Sequence, residues 1–135
     1  MVSKKKWRIQ RLKVSVAVPI ASLDRRGRRL SSFRVKAAAD LAMDAMTGYF
    51  GGATAMPAMG TWRDESGSVM HDKRQRVVVS MTTPSRLKRR RMQLEALADR
   101  IARFLDQEAV AVIVSRAETR GFLLFPNEES PCQES

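Results

Sequence analysis

The chain has 135 residues, of which 44% are hydrophobic and 29% charged, which suits one core and excludes a wholly disordered chain. Lys and Arg number 25 against 14 Asp and Glu, and the resulting net charge of +11 makes an anionic partner the first candidate. One Cys and one His exclude a disulfide framework, a Cys/His zinc site and a His-rich metal site, and no cofactor is expected.

A period-two pattern near the N-terminus predicts the first strand, over residues 7–19. Val14, Val16 and Val18 share one parity, which is typical of a strand with one face in the core. The apolar run is short and interrupted by Pro19, unlike a secretion signal. No stretch approaches the roughly 18 apolar residues of a membrane span, so no membrane partner is expected.

An arginine-rich loop over residues 21–30 precedes the first predicted helix. That helix is capped by Ser31 or Ser32 and stops at Gly48. Its apolar positions recur at steps of four, with a second series beside them: Phe33, Ala37, Leu41 and Ala45, flanked by Ala38, Ala42 and Met46. Gly51 and Gly52 then predict a sharp turn with a positive φ.

Two further strands, over residues 54–63 and 69–81, flank a predicted hairpin turn. A second helix begins at Pro84, because proline is favoured in the first turn. Residues 109–115 and 121–125 predict two more strands, separated by a turn over residues 116–120.

The predicted order is a ferredoxin-like sandwich, βαββαβ plus a C-terminal strand, of the α+β class. Both helices should cover one face of an antiparallel sheet, while the other face is either solvated or used for dimer packing. We expect one domain over residues 1–126 with a basic leader (1–6), followed by a flexible polar tail (127–135). Cys132 in that tail has no intrachain partner, which indicates a reducing cytoplasm.

A further pattern lies in the stretch YFGGATAMPAMGTWRDESGSVMHD, residues 49–72, and in LDQEAVAV, residues 105–112. The pattern resembles a small bacterial family known only as a domain of unknown function, over roughly residues 14–125. The resemblance implies the fold but no activity, cofactor or catalytic residue. Its motif positions are Gly51, Gly52, Thr54, Gly60, Trp62, Arg63, Asp64, Gln107 and Glu108.

Basic residues are concentrated in two blocks: residues 1–30 carry a net charge of +9, and residues 73–91 carry +8. Such blocks attract phosphate backbones, so nucleic acid or another polyanion is the leading candidate partner. The candidate contacts are Lys13, Arg25, Arg26, Arg28, Arg29, Arg74, Arg76, Arg86, Lys88, Arg89, Arg90 and Arg91. Pairing of the first and third strands is expected to bring Lys13 to the same side as Arg74 and Arg76.

Residues 86–91 are the sharpest local signal, because five of the six are cationic at the start of a helix. Positive charge there opposes the helix dipole, at roughly 0.3–1 kcal/mol for each charge. Only Arg91 has an acidic residue four positions later, Glu95. The pattern is typical either of phosphate contacts or of a solvated helix face.

Enzyme chemistry has fewer candidates. His71 and Asp72 form a conceivable acid/base pair, and Glu108 is a candidate carboxylate, although an ion pair with Arg63 suits it better. Three hypotheses remain: a non-enzymatic polyanion-binding protein, a homo-oligomeric domain with an apolar sheet face, and a small-molecule enzyme of a dimeric α+β type. Basic clusters on one face favour the first hypothesis, and an apolar outer sheet face favours the second. A deep pocket lined by Trp62, Asp64, His71 and Glu108 favours the third.

Overall fold

Six elements follow one another in the computed structural model, which describes the backbone of residues 7–63 and 65–126 and the side chains of residues 14–61, 63 and 65–116. The predicted leader and tail, residues 1–6 and 127–135, lie outside the described residues. The elements are β1 (Trp7–Ile20), α1 (Ser32–Phe50), β2 (Thr54–Arg63), β3 (Val69–Thr82), α2 (Pro84–Phe104) and β4 (Ile113–Pro126).

The four strands form one antiparallel sheet in the order β2-β3-β1-β4. With one helix after β1 and one after β3, this is the ferredoxin-like arrangement. The predicted fold class is therefore confirmed. The expected additional C-terminal strand is not separate: residues 113–126 form β4 alone, and the predicted turn falls where its pairing with β1 shifts register.

Both helices cover the sheet face that carries the even-numbered residues of β1. Val14, Val16, Val18 and Ile20 are each at most 1% exposed, and α1 presents small side chains to them. Ala38 and Ala42 allow α1 to approach the sheet closely, because an alanine adds only a methyl group to the helix surface. The buried stripe of α1 therefore runs through the predicted flanking positions Ala38, Ala42 and Met46, and Phe33 is exposed.

The predicted stop of α1 at Gly48 is wrong, because the helix continues to Phe50. The C-cap is Gly51, whose φ of +89° is a conformation that residues with a Cβ rarely adopt. Continuing the helix places the Phe50 ring in the core, where it is 4% exposed. The prediction of a positive φ at this glycine pair is confirmed at Gly51.

The opposite side of the sheet, here called the open face, has no helix against it. Its central residues form rows across the paired strands. The rows are Met56–Val77–Pro19, Thr54–Val79–Ala17–Ile113 and Met81–Ser15–Ser115. These ten residues are uncharged, and Met56 and Ile113 are 46% and 48% exposed.

In the described residues, no helix has both the length and the apolar character to cross a membrane.

Candidate functional site

The start of α2 carries a group of cations here called the helix-start cluster: Arg86, Lys88, Arg89, Arg90 and Arg91. The helix begins there because Thr83 Oγ1 accepts the Arg86 backbone N–H at 3.3 Å and Pro84 occupies the first turn. Four of the five side chains are exposed, and Arg90 is half-buried. The cluster is therefore open to a partner.

The C-terminus of α1 lies against the helix-start cluster. Arg86 Nη1 donates to the Phe50 carbonyl oxygen at 3.3 Å, and the Arg90 guanidinium lies 5.8 Å from the centre of the Tyr49 ring. A helix C-terminus carries partial negative charge, so α1 attracts the arginines that the dipole of α2 repels. The sequence argument counted only the repulsion.

A polar cavity of about 550 Å³ opens between the two helix ends. Arg86, Arg89 and Arg90 line it from α2, and Gly48, Tyr49 and Gly51 line it from α1. An anion placed in the cavity would meet three guanidinium groups, which donate hydrogen bonds in a fixed planar geometry suited to phosphate.

Few acceptors in the protein compete for these cations. Arg91 pairs with Glu95 at 3.3 Å, and Arg90 donates to Gln93 Oε1 at 3.0 Å. The two acceptors, Glu95 and Gln93, lie at exposed positions of the same helix. Within the part of the chain that the structure describes, Lys88 and Arg89 form no ion pair. Exposed pairs of this kind contribute about 1 kcal/mol or less, so a phosphate competes with them readily.

A second group, the loop cluster, consists of Arg25, Arg26, Arg28 and Arg29 between β1 and α1. Asp24 organises this loop: Oδ1 accepts the backbone N–H groups of Arg28 and Arg26, each at 2.9 Å. These hydrogen bonds hold the pKa of the Asp24 carboxyl below its ordinary value, and the one from the Arg28 backbone has the largest effect. Two arginines of the loop cluster are already paired, Arg25 with Asp106 at 3.1 Å and Arg28 with Asp24 at 3.0 Å.

The two clusters lie at opposite ends of the helix layer. Arg25 contacts Asp106, just beyond the end of α2, whereas the helix-start cluster occupies its first turns. The 21 residues of α2 span about 31 Å at 1.5 Å per residue. The predicted basic residues therefore do not form one continuous surface.

Strand pairing separates two other candidates that the sequence placed together. Arg76 pairs with Ile20 at one end of the β1–β3 pairing, while Val14, next to Lys13, pairs with Thr82 at the other end of that pairing. Lys13 therefore does not adjoin Arg76, and its side chain lies outside the described residues. Arg74 and Arg76 instead line a cavity of about 310 Å³ beside Ser32 at the start of α1.

A third cavity, about 730 Å³ and here called the mixed-charge cavity, joins the loop after β1, the β2–β3 hairpin and the connection between α2 and β4. Its charged lining includes Arg25, Arg26, Arg63, Glu65 and Glu108. Gln107 fixes one wall, because its Nε2 donates to the carbonyl oxygens of Leu23 at 2.8 Å and Ala21 at 3.3 Å. Glu108 and Arg63 share this cavity, but no ion pair joins them; Arg63 Nη1 donates to the Gly67 carbonyl at 3.2 Å.

The conceivable acid/base pair of His71 and Asp72 does not form a site. His71 is exposed, whereas Asp72 is buried and accepts the Ser22 backbone N–H at 2.7 Å, the Ser22 hydroxyl and the Arg74 N–H at 3.1 Å. Asp72 therefore holds the end of β1 to β3. Sequence reasoning missed this contact, and also the Tyr49–Arg90 contact, because no local spacing signals a pair 50 or 41 positions apart.

The remaining motif positions contribute to the backbone structure of the sheet. The Gly52 carbonyl accepts the Ser80 hydroxyl at 2.7 Å, and exposed Thr54 begins β2. A Cβ at Gly60 would lie 2.8 Å from Gln75 Oε1, where β2 and β3 shift register. The side chains of Trp62 and Asp64 lie outside the described residues.

In the described residues, no three His, Cys, Asp or Glu side chains come together to hold a metal ion.

No family model and no curated protein matches the sequence. The resemblance to an uncharacterised bacterial family therefore gains no support and stays a prediction.

Several solved structures do match. A phage SAM lyase in complex with S-methyl-5'-thioadenosine is similar with a TM-score of 0.57 and 13% identity, covering 90% of this chain and 95% of that one. CutA from Xylella fastidiosa has a TM-score of 0.47 and 9% identity, covering 78% and 84%. CutA from Synechococcus elongatus has a TM-score of 0.48 and 13% identity, covering 82% of each chain. At its identity, the likeness to the lyase shows a shared fold alone.

Proposed function

We propose that the protein is a non-enzymatic polyanion-binding protein that contacts phosphate groups, most plainly those of nucleic acid, through the helix-start cluster. The observation that carries the proposal is that five cations in six consecutive residues are exposed or half-exposed, with Glu95 as their one acidic partner among the described residues. The proposal goes with a cytoplasmic location, which the lone Cys132 favours.

The chemistry of the helix-start cluster suits contact with the phosphate backbone of a nucleic acid and does not suit recognition of its bases. Phosphate contacts fix a protein on a strand without carrying sequence information. Ferredoxin-like domains that read single-stranded RNA stack bases on aromatic side chains of the sheet, and the ten central residues of the open face include neither an aromatic nor a cation. Binding should therefore vary little with sequence.

The test is a triple variant, Arg89→Gln, Arg90→Gln and Arg91→Gln, measured for binding to a mixed-sequence duplex at low salt. We expect affinity to fall by about tenfold or more, because three phosphate contacts and their released counterions are lost. The matched control removes the same charge elsewhere through Lys36→Gln, Arg100→Gln and Arg103→Gln, all at exposed helix positions. Equal losses in both variants would show that net charge alone drives binding and would reject the assigned site.

A second candidate function is small-molecule binding in the mixed-charge cavity. Its volume of about 730 Å³ falls in the range of ligand pockets, and it offers both carboxylates and guanidinium groups. SAM carries a sulfonium and an ammonium together with a carboxylate, so both kinds of lining group would have a counterpart. The likeness to a SAM lyase over 90% of this chain makes SAM and S-methyl-5'-thioadenosine the ligands to test first.

Thermal stability with each of these two ligands tests this second candidate. Binding should raise the melting temperature of the unmodified protein, and above the dissociation constant the rise should follow the logarithm of ligand concentration. Glu108→Gln should reduce the shift that SAM produces, because SAM carries the cations that a carboxylate attracts, while Glu95→Gln, an exposed carboxylate outside the cavity, should leave it unchanged. The absence of a shift with either ligand in the unmodified protein would reject SAM-type binding.

A further inference from the structure

Arg74 and Arg76 occupy positions of β3 on the side of the sheet that the helices cover. Alternate residues of a strand share one face, and on this face Asp72 precedes the two arginines and Val78 follows them, each at most 1% exposed. Both arginines are nevertheless exposed, and they line the cavity of about 310 Å³ beside the start of α1. Two cations therefore stand where the helix layer leaves the sheet open.

The walls of this cavity are mostly apolar. Leu30 and Val35, which are 7% and 4% exposed, line it from the helix side, and Pro57 lines it from β2, where it pairs with Arg76. The volume holds about ten water molecules at roughly 30 Å³ each, and it lies at the lower end of the range for ligand pockets. The cavity therefore suits a small ligand that has an apolar part.

The two arginines have no partner of their own in the described part of the chain. Their guanidinium groups form neither an ion pair nor a hydrogen bond there, and only the Arg74 backbone N–H is engaged, by Asp72. Their Cα atoms lie about 6.6 Å apart on one strand face, and Lys73 between them adds a third cation to the lining. Like charges at this distance repel each other, so an anion between them is favoured.

We propose that this cavity binds a small organic phosphate monoester, with its phosphate between Arg74 and Arg76 and its apolar group against the apolar walls. A phosphate monoester carries about −1.5 to −2 charges at pH 7 and three acceptor oxygens. Two planar guanidinium groups can each donate a pair of hydrogen bonds to such a group. A carboxylate offers one charge and two oxygens, so it meets the cations less completely.

The site is separate from the helix-start cluster and does not depend on phosphate binding there. The cavity of that cluster adjoins the C-terminal end of α1, whereas this cavity adjoins Ser32 at the N-terminal end. The 19 residues of α1 span about 28 Å at 1.5 Å per residue. Ligand binding at the two sites can therefore be observed independently.

An NMR titration with phenyl phosphate tests the proposal, because backbone amide shifts report where a weak ligand binds. A ligand of about 11 non-hydrogen atoms should bind with a dissociation constant of roughly 1 mM, and it should shift the amides of Val35 and Arg76. Inorganic phosphate lacks the ring, and benzoate keeps the ring with a single charge. Each should bind about tenfold more weakly than phenyl phosphate.

Arg76→Gln should weaken the binding of phenyl phosphate by about tenfold, because it removes a charge-assisted contact. Arg100→Gln makes the same change at an exposed position of α2 outside the cavity and should leave the titration of Val35 unchanged. A circular dichroism spectrum establishes that each variant folds, and Arg74→Gln replaces Arg76→Gln if the latter does not.

Three results would overturn the proposal. The first is the absence of a shift at Val35 with about 10 mM phenyl phosphate, well above the expected dissociation constant. The second is binding of inorganic phosphate or benzoate as tight as that of phenyl phosphate. The third is an equal loss of affinity in the Arg76 and Arg100 variants.

Discussion

The buried contact between Ser22 and Asp72 anchors the chain to β3 just before the loop cluster. The Asp72 carboxylate accepts two hydrogen bonds from Ser22 and one from Arg74, at a site where water is excluded. Losing the carboxylate leaves the buried Ser22 N–H without an acceptor. A buried donor left unpaired in this way lowers the free energy of unfolding by about 1–3 kcal/mol. The side chain therefore serves stability and not acid/base chemistry.

Asp72→Ala should lower the free energy of unfolding by about 2–3 kcal/mol for that reason. Urea denaturation followed by circular dichroism measures it, with Asp99→Ala on the exposed side of α2 as the control. A loss equal to that of the control would show that the Ser22 contact does not stabilise the fold.

Asp24 gives the loop cluster a dependence on pH. Its folded pKa is lowered below the ordinary value of 3.8, so the charged form stabilises the fold at any pH above 3.8 and this contribution disappears as the pH falls through the lowered pKa. Asp24→Asn should therefore be less stable than the unmodified protein at neutral pH, and the difference should shrink below pH 3.8. Denaturation midpoints measured from neutral to acidic pH test this, and a difference that stays constant would contradict it.

At the scale of the elements, the antiparallel packing of α1 and α2 assigns different roles to neighbouring arginines. Arg86 bonds the C-terminal carbonyl of Phe50, whereas Arg89 has no protein acceptor among the described residues. Arg34 at the other end of α1 donates to the Phe104 carbonyl, at the C-terminus of α2. The partial negative charge at the C-terminus of each helix is thus offset by an arginine from the neighbouring helix.

Arg86→Ala should destabilise the protein by about 1–2 kcal/mol, because it removes a charged hydrogen bond to a helix end. Arg89→Ala should change stability by less than about 0.5 kcal/mol while weakening phosphate binding. Thermal melts of the two variants, compared with the binding of each to a duplex, separate these roles. A stability loss at Arg89 as large as that at Arg86 would mean that the cluster as a whole is structural.

The limits of sequence reasoning are clearest at the element ends. Alternation in β1 and the proline at the start of α2, Pro84, predicted their elements well, since these signals are local. The choice between Gly48 and Gly51 as the end of α1 depended on whether Phe50 reaches the core, which is a tertiary fact. The predicted break after Ser115 failed because pairing with the long strand β1 resumes at Gly121 after a register shift, so that residues 113–126 form one strand.

At the scale of the whole molecule, the distribution of charge along the sequence does not show how far apart the charged clusters lie in the fold. The two basic blocks were correctly located in the sequence, but the topology sends the loop cluster and the helix-start cluster to opposite ends of α2. Conversely, a cavity lined by three arginines forms where the end of α1 lies against the start of α2. The sequence contains the arginines but does not show that the end of α1 lies beside them. The open face follows from strand order, which a single sequence indicates only through its fold class.

The salt dependence of duplex binding tests the phosphate-contact account most directly. In a series rising from about 50 mM salt, the logarithm of the association constant should fall linearly with the logarithm of salt concentration, with a slope of about −0.9 for each phosphate contact. Replacing Arg89, Arg90 and Arg91 by Gln should make that slope shallower by up to about 2.7, while the charge-matched control at Lys36, Arg100 and Arg103 should keep the original slope. No measurable binding at about 50 mM salt, or one slope shared by all three proteins, would contradict the account.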